Sequence, residues 1–117
     1  MRVLLVDDEE EFVTTLAERL SFRGIDASWA TSAEDAASLA ENEHFDIAVL
    51  DVKMPRMGGI DLKKRLEQTH PEMKFIFLTG HGSERDFEIG SAQAASYLVK
   101  PVNIEALIEK MREALAV

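Results

Sequence analysis

The sequence predicts an α/β domain in which one parallel sheet carries helices on both faces. Two observations lead there. Five short apolar runs alternate with five helical patterns along the chain, and strict βα alternation implies a parallel sheet with right-handed crossovers. Arg2–Val6, Ile47–Leu50, Phe75–Leu78 and Tyr97–Val99 are nearly continuous apolar runs, as strands buried on both faces must be.

Each element has a local reason. The first helix is predicted over about Glu10–Arg23, with Phe12, Leu16 and Leu20 on one face and Gly24 as its stop. Ile25–Ala30 is more mixed and suits an edge strand. Thr31 or Ser32 can cap a second helix, with Glu34 or Asp35 completing a capping box. Its Ala33, Ala36, Ala37 and Ala40 form a narrow stripe that lets the helix approach the sheet closely. A third helix follows Gly58-Gly59 and ends before Pro71. The fourth, between Ser83 and Gln93, has a conflicted pattern: Gly90 interrupts it, and Phe87 and Ile89 cannot share one face. Asn103 caps the last helix, where Ile104, Leu107, Ile108, Met111 and Leu115 keep the 3.6-residue period.

Bulk properties narrow the function. A chain of 117 residues fits one domain spanning 1–117 and can bury roughly two-thirds of its unfolded surface. No linker, repeat or room for an effector domain is visible within it. Without cysteine, disulfide frameworks and thiolate metal sites are excluded. No secretory leader or membrane-length apolar run occurs, so a soluble, cytoplasmic protein is expected. A net charge of −9 disfavours direct nucleic-acid binding and anionic membranes, both of which need cations.

In a sheet of this kind ligands sit outside the carboxyl ends of the strands. Asp7 and Asp8 follow the first strand, Asp51 the third, Thr79 the fourth, and Lys100-Pro101 the fifth. Taken singly, each has a structural use. Asp8 with Glu9, Glu10 and Glu11 can cap and complement the first helix; Asp51 can open a turn, Thr79 can be a strand-end hydroxyl, and Lys100 a solvated cation. Together they demand more. Each close carboxylate pair costs about 4 kcal/mol at an effective dielectric of ~20, so a cation must live among them. Oxygen-only ligands suit a hard ion such as magnesium, which takes one or two carboxylates plus waters and a phosphoryl group. A carboxylate can also attack phosphorus to give an acyl phosphate, and Asp51, at the end of a central strand, is the best placed. Lys100 would offer a compact charge to a phosphoryl oxygen, and Thr79 a hydroxyl.

The set Asp7-Asp8, Asp51-Val52-Lys53-Met54-Pro55-Arg56-Met57-Gly58-Gly59, Thr79-Gly80 and Tyr97-Leu98-Val99-Lys100-Pro101 resembles the response-regulator receiver family over essentially the whole chain. The resemblance implies a flavodoxin-like (βα)5 three-layer sandwich with strand order 2-1-3-4-5. It implies that Asp51 accepts a phosphoryl group from a sensor histidine kinase or phosphotransfer protein. Asp8, Asp51 and the backbone carbonyl of Lys53 would ligate Mg2+, with Asp7 acting through water. Thr79 and Tyr97 would be the switch pair, and the Lys100–Pro101 peptide would be cis. Output would pass through the face made by the fourth helix, fifth strand and fifth helix, to a downstream protein partner, an effector domain or a phosphorylation-dependent dimer. Such a chain is a signalling phosphoacceptor rather than an enzyme. Two positions depart from the family pattern: Gln93 replaces a usual glycine, and Lys53 puts a cation two residues after the nucleophile.

Two other readings compete. A magnesium phosphatase with an aspartyl nucleophile, similar to the haloacid dehalogenase family, needs an acid two residues after the nucleophile; that position is Lys53. A receiver-like interaction module without phosphorylation would normally have lost an acid, the acceptor or the lysine, all retained here. Among the remaining residues, His81, His44 and His70 read as solvated, Trp29 as half-buried packing, and Met54 and Met57 as gap-fillers beneath the loop.

Overall fold

In the computed structural model, which describes residues 1–80 and 96–116, neighbouring residues of each central strand point into two different cores. Val3, Leu5, Ile47, Val49, Ile76 and Leu78 belong to one cluster. Leu4, Val6, Ala48, Leu50, Phe75 and Phe77 belong to the other. This period-two division is what a pleated sheet covered on both faces requires, and it explains why those runs carry almost no polar residues.

The elements are β1 (Arg2–Val6), α1 (Glu10–Ser21), β2 (Asp26–Ala30), α2 (Ala33–Asn42), β3 (Ile47–Asp51), α3 (Gly59–Thr69), β4 (Lys74–Thr79), β5 (Ser96–Val99) and α4 (Ile104–Leu115). All four strand pairings are parallel, and the order is β2-β1-β3-β4-β5, as the family resemblance implies. α1 and α4 feed the first cluster, while α2 and α3 feed the second. The predicted helix between Ser83 and Gln93, with Phe87, Ile89 and Gly90, lies outside the described residues, as do His81 and the departure at Gln93.

Most local expectations hold, but β5 is partly buried on one face only, with Tyr97 and Val99 exposed as befits an edge strand. Trp29 on the other edge is exposed rather than half-buried, and one helix end shifts. The Ser32 side chain accepts from the Asp35 N–H at 3.1 Å, and Asn103 accepts from the Ala106 N–H at 3.0 Å. Ala33, Ala36, Ala37 and Ala40 are all buried. α1, however, ends at Ser21 rather than Arg23. The Gly24 N–H donates to the Ser21 carbonyl at 3.0 Å and the Ile25 N–H to Leu20 at 3.1 Å. Gly24 takes the left-handed φ of 77° that closes this turn, so the last residues before it belong to the turn and not the helix.

The opposite rim of the sheet is held by Arg2. Its guanidinium bonds Asp26 at 2.9 Å and Glu43 at 2.6 Å, and stands over the Phe45 ring. Its backbone N–H donates to Asp46 at 2.8 Å. This hydrogen bond is the main reason the Asp46 carboxyl is held below its ordinary pKa. Asp26, Glu43 and Asp46 thus each have a donor.

Candidate functional site

The sheet register assembles the site. β1 and β3 pair Leu5 with Val49 and Val6 with Leu50, so the next step sets Asp7 level with Asp51. Asp51 is the last residue of β3, across from Leu78 of β4. Thr79 ends β4 opposite Val99. The Lys100 N–H donates to the Thr79 carbonyl at 2.8 Å, which anchors the start of the loop after β5. The Lys100–Pro101 peptide is cis.

Side chains converge as the strand ends do. One carboxylate oxygen from each of Asp7, Asp8 and Asp51 lies within 4.8 Å of the others. Asp7 and Asp51 are buried at 1% and 5% exposure, whereas Asp8 is exposed. Lys100 Nζ sits 2.7 Å from Asp7, 3.4 Å from Glu9 and 3.6 Å from Asp51. Asp7 Oδ1 accepts from the Glu9 N–H at 2.9 Å. Asp7 Oδ2 is buried without a well-aligned hydrogen bond among the described residues, leaving the nearby ammonium as its compensation.

One ammonium cannot neutralise three carboxylates. Burial first, and then the charge of Asp7, push the Asp51 carboxyl up to about 7. Asp8 adds to the rise; Lys100 and the Lys53 backbone N–H oppose it. Burial pulls against charge on Lys100 too, yet its contacts with Asp7, Asp51 and Glu9 hold the ammonium above its usual pKa. Among the described residues the cluster is therefore short of positive charge, and its donor set is all hard oxygen. Two nearly buried carboxylates beside a solvent-facing Asp8, with one buried oxygen poorly satisfied, fit a small divalent cation that keeps part of its water shell.

Local backbone geometry explains the Gly58-Gly59 pair. A Cβ on Gly59 would collide with the Asp51 carbonyl, and one on Gly58 would lie 2.5 Å from the Val52 carbonyl. The Gly59 N–H donates to that Val52 carbonyl at 3.1 Å. The first turn of α3 thus presses directly on the backbone carrying Asp51. Gly59→Ala is expected to cost about 1–3 kcal/mol through this overpacking, as read by urea unfolding. An unchanged midpoint would mean that α3 can draw back without cost. Between these glycines and the strand, Met54 and Met57 pack against the second core, as gap-fillers should, and Arg56 adopts a left-handed φ of 70°.

The structure also places what the sequence left apart. Thr79 is buried at the rim, whereas the Tyr97 ring is 41% exposed on β5; Lys53 is exposed in the loop after Asp51. Glu9, which reads as one of four acids complementing a helix dipole, instead reaches Lys100, 91 positions away. Phe12, a core-facing residue by periodicity, also lies beneath the Lys100 ammonium, 4.8 Å from its ring centre. Neither contact has a short-range signal.

This architecture and rim chemistry define a response-regulator type receiver. The chain belongs to that family: the response regulator receiver domain matches residues 3–112. Among relatives, the transcriptional regulatory protein CpxR of Escherichia coli K12 is 39% identical over 115 residues, covering 97% of this chain and 49% of that protein. The response regulator MprA of Mycobacterium sp. strain KMS is 34% identical over 98% of this chain and 50% of its own length. The chain spans about half the length of these curated relatives. A receiver domain protein described as CheY-like, from Methanospirillum hungatei, superposes with a TM-score of 0.88 at 35% identity, covering 98% of this chain and 93% of that one. The NtrX receiver domain from Brucella abortus gives 0.90 at 25% identity, with 98% of both chains covered. Among the described residues no helix is long and apolar enough to cross a membrane.

Proposed function

We propose that Asp51 is the phosphoacceptor of this receiver and that the chain works as one signalling domain over residues 1–117. The observation that carries the reading is the convergence of Asp7, Asp8 and Asp51 around a single lysine at the carboxyl rim. An Asp51 carboxylate oxygen forms the new O–P bond as the P–N bond of a phosphohistidine breaks, and the leaving imidazole takes up a proton. Asp8, Asp51 and the Lys53 carbonyl would hold Mg2+, with Asp7 acting through water. The ion, when bound, screens the negative charge that accumulates between nucleophile and donor. Lys100 then meets one phosphoryl oxygen and the Thr79 hydroxyl another.

A phosphoryl group adds dianionic charge and strong acceptors. Drawing Thr79 towards it would vacate space beside β5, where the exposed Tyr97 ring can follow, so Thr79 and Tyr97 form the switch. A histidine kinase or phosphotransfer protein would supply the group. A downstream partner, an attached effector domain or a second phosphorylated copy would read the result. The compartment consistent with such partners is the cytoplasm.

Incubation with acetyl phosphate and magnesium is expected to add one base-labile phosphoryl group, seen as a mass increase of the intact protein. Asp51→Asn should remove it while keeping the fold; equal labelling of both proteins would place the acceptor elsewhere. Magnesium should also raise the melting temperature, because it binds the folded site alone and stabilises it by about 2.7 kcal/mol at ~100 times its Kd. Asp8→Ala is expected to abolish most of that gain, and a shift as large as that of the wild type would remove Asp8 from the ligand set.

A further inference from the structure

We infer that Phe12 and Glu9 are positioning residues for Lys100, holding its ammonium within the carboxylate cluster where the phosphoryl group has to be met. The inference rests on the phosphoacceptor reading of the site. A lysine head on a four-carbon stem is strongly hydrated and swings into water unless something retains it. Here the side chain is only 18% exposed, and among the described residues four groups surround Nζ. Asp7, Glu9 and Asp51 supply oxygens at 2.7, 3.4 and 3.6 Å, and the Phe12 ring centre lies 4.8 Å away.

Two of those four come from the start of α1. Glu9 and Phe12 are three residues apart, the spacing that brings side chains to the same side of a helix turn. The Phe12 ring packs on the first core cluster, as does Val102 beyond the lysine. Core packing, and not Lys100, therefore decides where the ring stands. An aromatic face attracts a cation without accepting a conventional hydrogen bond, so the ring can retain the ammonium while its N–H donors stay aimed at carboxylate oxygens. Glu9 is 69% exposed and solvent screens its charge, which makes Phe12 the stronger of the two holds.

The test compares phosphorylation rates with acetyl phosphate and magnesium across variants that keep the apolar volume. Phe12→Leu and Phe12→Met are expected to slow labelling about fivefold, whereas Phe12→Tyr, which retains the ring, stays within about twofold of wild type. Glu9→Gln should slow it about twofold, a difference lost at high salt. In the metal-free protein the ε-methylene protons of Lys100 should show an upfield ring-current displacement in NMR spectra, absent in Phe12→Leu and kept in Phe12→Tyr. Wild-type rates in both the Leu and Met variants would overturn the inference, as would a Tyr variant as slow as Leu or unshifted Lys100 protons in the wild type. A wild type that takes no label overturns the phosphoacceptor reading itself, and this inference with it.

Discussion

Replacing Lys100 with methionine is expected to destabilise the metal-free protein by about 3–5 kcal/mol at neutral pH, the usual penalty for removing one partner of a buried ion pair. Methionine keeps much of the apolar stem, so the loss isolates the charge. What remains is Asp7, buried at 1% exposure, with no well-aligned hydrogen bond to its Oδ2 among the described residues. Asp8 and Asp51 add repulsion that, among the described residues, the Lys53 N–H offsets only in part. Two dependences should accompany the loss. Magnesium should restore part of the stability, since a divalent ion supplies the charge the ammonium no longer provides. Mild acid should restore part as well, because Asp51 takes up a proton near pH 7 and its repulsion with Asp7 falls. Urea unfolding with and without magnesium, at neutral and acidic pH, reads all three. A variant as stable as wild type without metal would show that Asp7 has another source of compensation.

The second large effect has the opposite sign. Asp51→Asn should stabilise the metal-free protein above neutral pH, by as much as about 4 kcal/mol. The folded carboxyl titrates near 7, roughly three pH units above its unfolded value. Between these values the native state binds the extra proton, so this group's contribution to stability is fully present below the unfolded pKa. It falls as pH rises and is lost once pH passes the folded pKa. Asparagine carries no charge to desolvate and escapes that loss. The variant's advantage should therefore be largest above pH 7, shrink through the acidic range and vanish near pH 4. It should also shrink with magnesium, which stabilises the wild type more. Losing the weak Lys100 contact at 3.6 Å trims the gain without reversing it. A variant advantage that grew as pH fell would contradict the raised carboxyl pKa.

Much of this arrangement is legible in the sequence because it is set by short-range rules. Apolar runs buried on both faces mark the central strands, and Ser32 and Asn103 announce their helices by the hydrogen bonds they accept. Asp7, Asp51, Thr79 and Lys100 are legible as a set because parallel strands deliver their ends to one rim. The remainder depends on distant partners. Arg2 stands at the start of an apolar run, and nothing nearby in sequence foretells its bonds to Asp26 and Glu43. Lys63 looks like a solvated helix residue, yet it is 5% exposed, paired with Glu67 at 2.8 Å and set over the Phe75 ring. Glu9 and Phe12 need the whole chain folded before they can meet Lys100. α1 ends two residues before Arg23 because Gly24 closes a turn of its own rather than the helix directly.

The two rims of the sheet differ in a way that matters mechanically. At one, Arg2 ties strand, helix end and loop together through Asp26, Glu43 and the His44 carbonyl, so that edge behaves as a clamp. At the other, like charges press against each other and a single ammonium divides itself among them. Charge added or removed at Asp51 acts first on Asp7, Asp8 and Lys100, the groups whose charges it feels, and none of these is among the partners of Arg2 at the far rim.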